Sequence, residues 1–253
     1  SHVADNIDTK SWQEALLTDL ERQAEMTYQQ LQSGPDQINL KSVFFGGGTP
    51  SLMPPLIIET LLDKAADLFT LDPKIEITAE ANPNSAETAN LKGFYGAGVN
   101  RLSLGVQSLR DSGLKFLGRE HSAKEALIAL EKAAKLFPKW SADLIYGLPN
   151  QNEKDWHTQL EEVTSRAPAH LSCYQLTIEP GTQFYTRYKQ GERLSADADN
   201  MAELYLLTEK VLEGKGLFAY EVSNYSKAGE ESQHNLNYWK TGNWLGIGPG
   251  AHG

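Results

Sequence analysis

Several short stretches of this sequence place unusual residue types where a ligand could be met. Gly46-Gly47-Gly48-Thr49-Pro50 follows the apolar run Val43-Phe44-Phe45. Three glycines in a row remove every Cβ, so backbone N–H and C=O groups can approach a small molecule while Pro50 fixes the turn. The stretch lacks the Lys-Ser or Lys-Thr of a phosphate loop and the glycine spacing of a dinucleotide fold; a plain tight turn is the competing reading. Glu80 in Glu80-Ala81-Asn82-Pro83 and Gln107 in Val106-Gln107-Ser108 are a carboxylate and an amide able to take ammonium or hydroxyl groups, although an isolated Glu or Gln is usually solvated. Arg119, in Gly118-Arg119-Glu120-His121, suits a ligand carboxylate through its bidentate fork; a surface ion pair with Glu120 or Glu125 explains it equally well. Asp143 opens the apolar run Asp143-Leu144-Ile145-Tyr146, a costly place for a carboxylate unless a partner satisfies it. His234, in His234-Asn235-Leu236-Asn237-Tyr238-Trp239, sits among aromatics, where it could ligate a metal or heme iron or simply make a structural hydrogen bond.

The elements that must hold these residues are legible in the hydrophobic pattern. Trp12, Leu16, Leu20, Ala24, Tyr28 and Leu31 recur at helical spacing and predict an amphipathic helix over 8–31, ended by Gly34-Pro35. Strand, loop and helix then alternate. Strands are predicted at 43–45, 75–78, 102–106, 143–146 and 171–178, with helices at 56–69, 86–95, up to 117, 122–137, 153–165 and 198–212, and a weaker strand near 217–222. This alternation predicts parallel strands joined by right-handed crossovers, and no Pro-, Gly- or Ser-rich linker divides the run. The fold class is α/β, read as a barrel or partial (β/α) barrel, because in such barrels the ligand is met at the carboxyl ends of the strands, where the unusual residues fall.

Composition excludes several functions. The chain has 253 residues, 40% of them hydrophobic and 22% charged, which describes a soluble globular protein. The net charge of −10 repels a phosphate backbone, and no basic patch offsets it, so nucleic acid is a poor partner. A single cysteine, Cys173, permits no internal disulfide and no all-cysteine metal site. No apolar run approaches the roughly 18 residues of a membrane span, and a cytoplasmic location is expected.

Taken together, GGGTP at 46–50, EANP at 80–83, GVNRLSLGVQS at 98–108, LGREH at 117–121, DLIYGLP at 143–149, YQLTIEPGT at 174–182, HNLNYW at 234–239 and the final GIGPGAHG resemble a radical S-adenosylmethionine (SAM) family. Its members include oxygen-independent coproporphyrinogen III oxidases and HemW-like heme chaperones. The resemblance covers nearly the whole chain and implies a radical SAM partial barrel. It implies that Gly47, Gly48, Thr49, Glu80, Gln107, Arg119 and Asp143 bind SAM, and that His234 and Tyr238 serve heme, because HNLNYW resembles the heme-associated HNxxYW motif of HemW-like members. The chaperone is therefore the expected function, with heme or porphyrin as ligand and apo-hemoproteins as recipients; a decarboxylating oxidase and a barrel for another small ligand are the alternatives. The departure is that family members carry a CxxxCxxC loop for a [4Fe-4S] cluster, and this chain has no such loop. Since family members follow that loop with a Phe-Asn-Ser-His type segment, the opening Ser1-His2 implies a radical SAM core over 1–253 that lacks the first strand and the cluster loop and stops before a C-terminal domain. Cys173 alone could supply at most one cluster ligand, and a small buried hydrophobe is its more ordinary role.

Overall fold

The computed structural model describes residues 8–47 and 50–251. They fall into two compact units. The first runs to Asn82 and adds Ala86–Leu102 and the chain from Ser232; the second holds Pro83–Ser85 and Ser103–Glu231.

In the first unit, α1 (Thr9–Leu31) starts at Asp8, whose carboxylate accepts the Ser11 N–H at 3.2 Å. One stripe of α1, carrying Leu16, Leu20, Ala24 and Tyr28, packs on Ile57, Leu61 and Ala65 of α2 (Pro55–Leu68) and on Phe69. Burying each of the Leu, Ile and Phe side chains contributes roughly 1.5–3 kcal/mol, and each Ala methyl about 0.8 kcal/mol. The rest of the helix is solvated, with Trp12 47% and Leu31 55% exposed, so the apolar spacing marks the helix more broadly than its buried face. The strands β1 (Asn39–Phe45) and β2 (Thr70–Ala81) pair in parallel, Val43 beside Ile77 and Phe45 beside Ala79. This register delivers the glycine turn after β1 next to Glu80 near the end of β2. Most of α3 (Ser85–Gly96), the start of β3 (Arg101–Gln107) and α9 (Gln233–Trp239) complete the unit.

In the second unit, β4 (Lys139–Tyr146) pairs in parallel with β5 (His170–Gln175), Asp143 beside Ser172, through the crossover helix α6 (Glu153–Thr164). The helix α5 (Ala123–Leu136) begins with a reciprocal cap in which Ser122 and Glu125 satisfy each other's backbone N–H. Trp156 of α6 is fully buried and donates its indole N–H to Thr208 of α8 (Ala198–Glu213) at 2.8 Å. The short helices α4 (Asp111–Phe116) and α7 (Gln183–Lys189) and the strands β6 (Phe218–Ala219) and β7 (Asn224–Ser226) fill the remainder. The strand order is β1-β2-β3-β4-β5-β7-β6.

Three local expectations differ from the structure. β5 stops at Gln175 rather than continuing to 178; the Leu176 N–H bonded to the Tyr146 carbonyl at 2.9 Å is the last rung of its parallel ladder with β4. The weak strand near 217–222 is reduced to β6 and is antiparallel to β7, since the few residues between them cannot make a parallel crossover. Asp143 is the fifth residue of β4, not its first.

Candidate functional site

The first unit gathers Gly47, Glu80, His234 and Tyr238. Gly47 has φ +75°, a conformation that favours glycine, and its N–H donates to Glu80 Oε2 at 3.3 Å. Gly46 is needed for a different reason: a Cβ there would lie 2.5 Å from the Phe44 ring and 3.2 Å from Glu80 Oε2. Gly48 and Thr49 lie outside the described residues. Burial holds the Glu80 carboxyl above its ordinary range, and the Gly47 N–H pulls the other way. A partly desolvated carboxylate with one backbone donor among the described residues is well suited to receive a cation.

The same strand end reaches α9. The His234 ring stacks on Phe44, with centroids 4.0 Å apart and planes 15° from parallel, and Tyr238 meets it edge-on at 4.9 Å. Trp244 lies 4.7 Å from Tyr238. Burial lowers the His234 pKa, so at neutral pH the imidazole keeps a lone pair free of protons. Tyr238 and Trp244 are 44% and 45% exposed, leaving aromatic surface open beside that imidazole.

In the second unit, Asp143 finds the partner its position demands. Ser103 Oγ donates to its two carboxylate oxygens at 3.3 and 3.2 Å. Arg119 retains exposed surface, yet burial of its guanidinium lowers its pKa, opposed by the Asp143 charge. Among the described residues no salt bridge joins Arg119 to Glu120 or Glu125; Glu125 instead caps α5. Gln107 is buried and ends β3 at φ +64°, an uncommon conformation for its type, and the neighbouring Val106 carbonyl accepts the His121 Nε2–H at 3.1 Å.

Sequence reasoning missed the supporting residues: Phe44, Ser103, His121 and Glu87. The buried Glu87 of α3 accepts the Asn82 N–H at 2.7 Å, the Asn82 side-chain amide at 3.1 Å and the Ser51 hydroxyl, tying the turn after β1 to the turn after β2. Its signal was present, a carboxylate in the first turn of a predicted helix. A cleft of about 610 Å³ lined by Gln175, Ala196, Met201, Tyr205 and Leu206 includes none of the sequence-predicted residues.

The donor set fits some cofactors and not others. A neutral imidazole with an aromatic wall fits heme iron; within the first unit the Glu80 carboxylate fits a cation, and within the second the Arg119 guanidinium fits a carboxylate. An iron–sulfur cluster does not fit: among the described residues no group of three His, Cys, Asp or Glu could hold a metal ion. Cys173 is 2% exposed, and burial with the Asp143 charge keeps its thiol protonated far above its ordinary range.

The alternation of β and α elements that carries these groups is the architecture of an α/β partial barrel. Residues 15–163 match the model of the radical SAM superfamily, and the chain belongs to that superfamily. Among named relatives, "Radical S-adenosyl methionine domain-containing protein 1, mitochondrial" of Mus musculus is 47% identical over 215 residues, 85% of this chain and 49% of that protein. "Heme chaperone HemW" of Haemophilus influenzae is 40% identical over 239 residues, 94% of this chain and 60% of that protein. The chain thus spans about half the length of the curated relatives it matches. Coproporphyrinogen III oxidase (HemN) from Escherichia coli, described as a radical SAM enzyme, superposes with a TM-score of 0.73 at 21% identity, covering 92% of this chain and 51% of that one. That likeness shows the shared α/β partial-barrel fold.

Proposed function

We propose that the chain is the radical SAM core of a HemW-like heme chaperone, in which His234 ligates heme iron beside the aromatic surface of Tyr238. The observation that carries this reading is the imidazole stacked on Phe44 at 4.0 Å and depressed in pKa by burial, so that it is neutral and fixed in direction at physiological pH. The HemW relatives at 36–41% identity support it. In the same reading Gly47, Gly48, Thr49 and Glu80 take the ammonium end of SAM, Arg119 its carboxylate, and Gln107 and Asp143 its hydroxyls. A [4Fe-4S] cluster is implied by the superfamily alone, and the single cysteine of this chain cannot hold one. Transfer of heme to apo-hemoproteins and a cytoplasmic location belong to the proposal; among the described residues no helix is long and apolar enough to cross a membrane.

Titration with hemin tests it. The wild-type chain should give the Soret band of histidine-ligated heme, and His234→Ala should bind at least tenfold more weakly with a shifted band. Equal affinity and an unchanged band in His234→Ala would refute the ligand role.

A further inference from the structure

Two charged side chains that no ligand can reach are buried in the first unit. Arg101, the first residue of β3, is 2% exposed, Glu76 of β2 is 4% exposed, and Arg101 Nη1 meets Glu76 Oε2 at 3.5 Å. Removing two charges from water costs several kcal/mol per ion, and such a pair commonly does no better than apolar residues of the same volume. Stability alone is therefore a weak reason for its presence.

The second oxygen of Glu76 points to what the pair holds. Oε1 accepts the Gln233 N–H at 2.8 Å and faces the Ser232 hydroxyl at 3.5 Å. Ser232 is the N-cap of α9 and Gln233 its first residue, so the carboxylate grips the backbone immediately before His234. None of the seven residues of α9 is buried, and a helix this short is not stable by itself. Its direction must come from fixed partners at its ends and from the stack on Phe44. Arg101 orients one oxygen of the carboxylate, and the other is left facing the first turn of α9.

We infer that Glu76, held by Arg101, is a positioning residue for His234: the buried ion pair sets the start of α9 and with it the direction of the imidazole. This rests on the heme reading of His234. Gln233→Pro breaks the contact, since the ring Cδ takes the place of the N–H and the Glu76 carboxylate must withdraw. Proline is well tolerated at a first helical position, and Ser232, at φ −65° and ψ 120°, already has the conformation required before proline. The substitution deletes the N–H that Glu76 accepts, while Gln233→Ala keeps it. Each variant of the 253-residue chain is titrated with hemin, and its far-UV circular dichroism and urea midpoint are recorded. The expected result is a wild-type Soret band in Gln233→Ala. In Gln233→Pro the fold should persist, the dissociation constant should rise about tenfold, and the band should move toward that of His234→Ala. A folded Gln233→Pro with wild-type affinity and band would overturn the positioning role and leave the heme reading intact. A wild-type band in His234→Ala would overturn both.

Discussion

Replacing Glu87 with alanine should destabilise the chain through a short, countable set of broken contacts. The carboxylate is 3% exposed and accepts the Asn82 N–H, the Asn82 side-chain amide and the hydroxyl of Ser51, which is itself fully buried. Glu87→Ala leaves the Ser51 hydroxyl and the Asn82 N–H without this acceptor. Each buried donor so stranded costs about 1–3 kcal/mol, and removing a desolvated charge returns part of that, giving a net loss of about 3 kcal/mol. Glu87→Gln retains one acceptor oxygen and should lose roughly half as much. Urea unfolding measures both as shifts of the midpoint at constant slope. The same contacts join the turn carrying Gly47 to the strand carrying Glu80, so exchange of the Gly47 amide, bonded to Glu80 at 3.3 Å, should accelerate in parallel. A loss below about 1 kcal/mol in Glu87→Ala would mean that other contacts hold the two turns together, and the reasoning would fail.

Two further outcomes follow from burial. The Glu80 carboxyl titrates above its unfolded value of 4.5, so its contribution to stability is full below pH 4.5 and is lost as pH rises through the folded value; the ionised form weakens the fold at pH 7. Glu80→Gln should therefore raise the urea midpoint at pH 7, with the gain vanishing below pH 4.5, while equilibrium dialysis shows weaker binding of SAM; a lowered midpoint at pH 7 would show that the Gly47 hydrogen bond outweighs desolvation. Cys173, buried and with its thiol held protonated, should resist iodoacetamide at pH 8 in the native chain and react once urea unfolds it.

The sequence declared its elements wherever burial was one-sided or complete. The apolar runs at 43–45, 102–106 and 143–146 are strands, and the periodic helices at 122–137 and 153–165 fall within a residue or two of α5 and α6. Where burial is absent, periodicity has nothing to report. Neither α7 nor α9 has a buried residue, so no periodic pattern marks either, although Thr182 and Ser232 are ordinary N-caps. The site was legible as residue types, since a glycine turn, a carboxylate near a strand end and a histidine among aromatics are visible without coordinates. Its scaffolding was not: Phe44 under His234, Ser103 beside Asp143 and Glu87 between two turns are pairings across 190, 40 and up to 36 residues, which spacing along one chain does not encode.

The strands β1 and β6 differ in how far they invite another chain. β6 is two residues long, too short a template for an incoming strand to grow on. β1 is seven residues long and pairs with β2. Among the described residues no second strand pairs with β1, and a strand of that length can template an incoming chain, so replacing the exposed Asn39 with lysine should weaken any edge-to-edge association at high concentration.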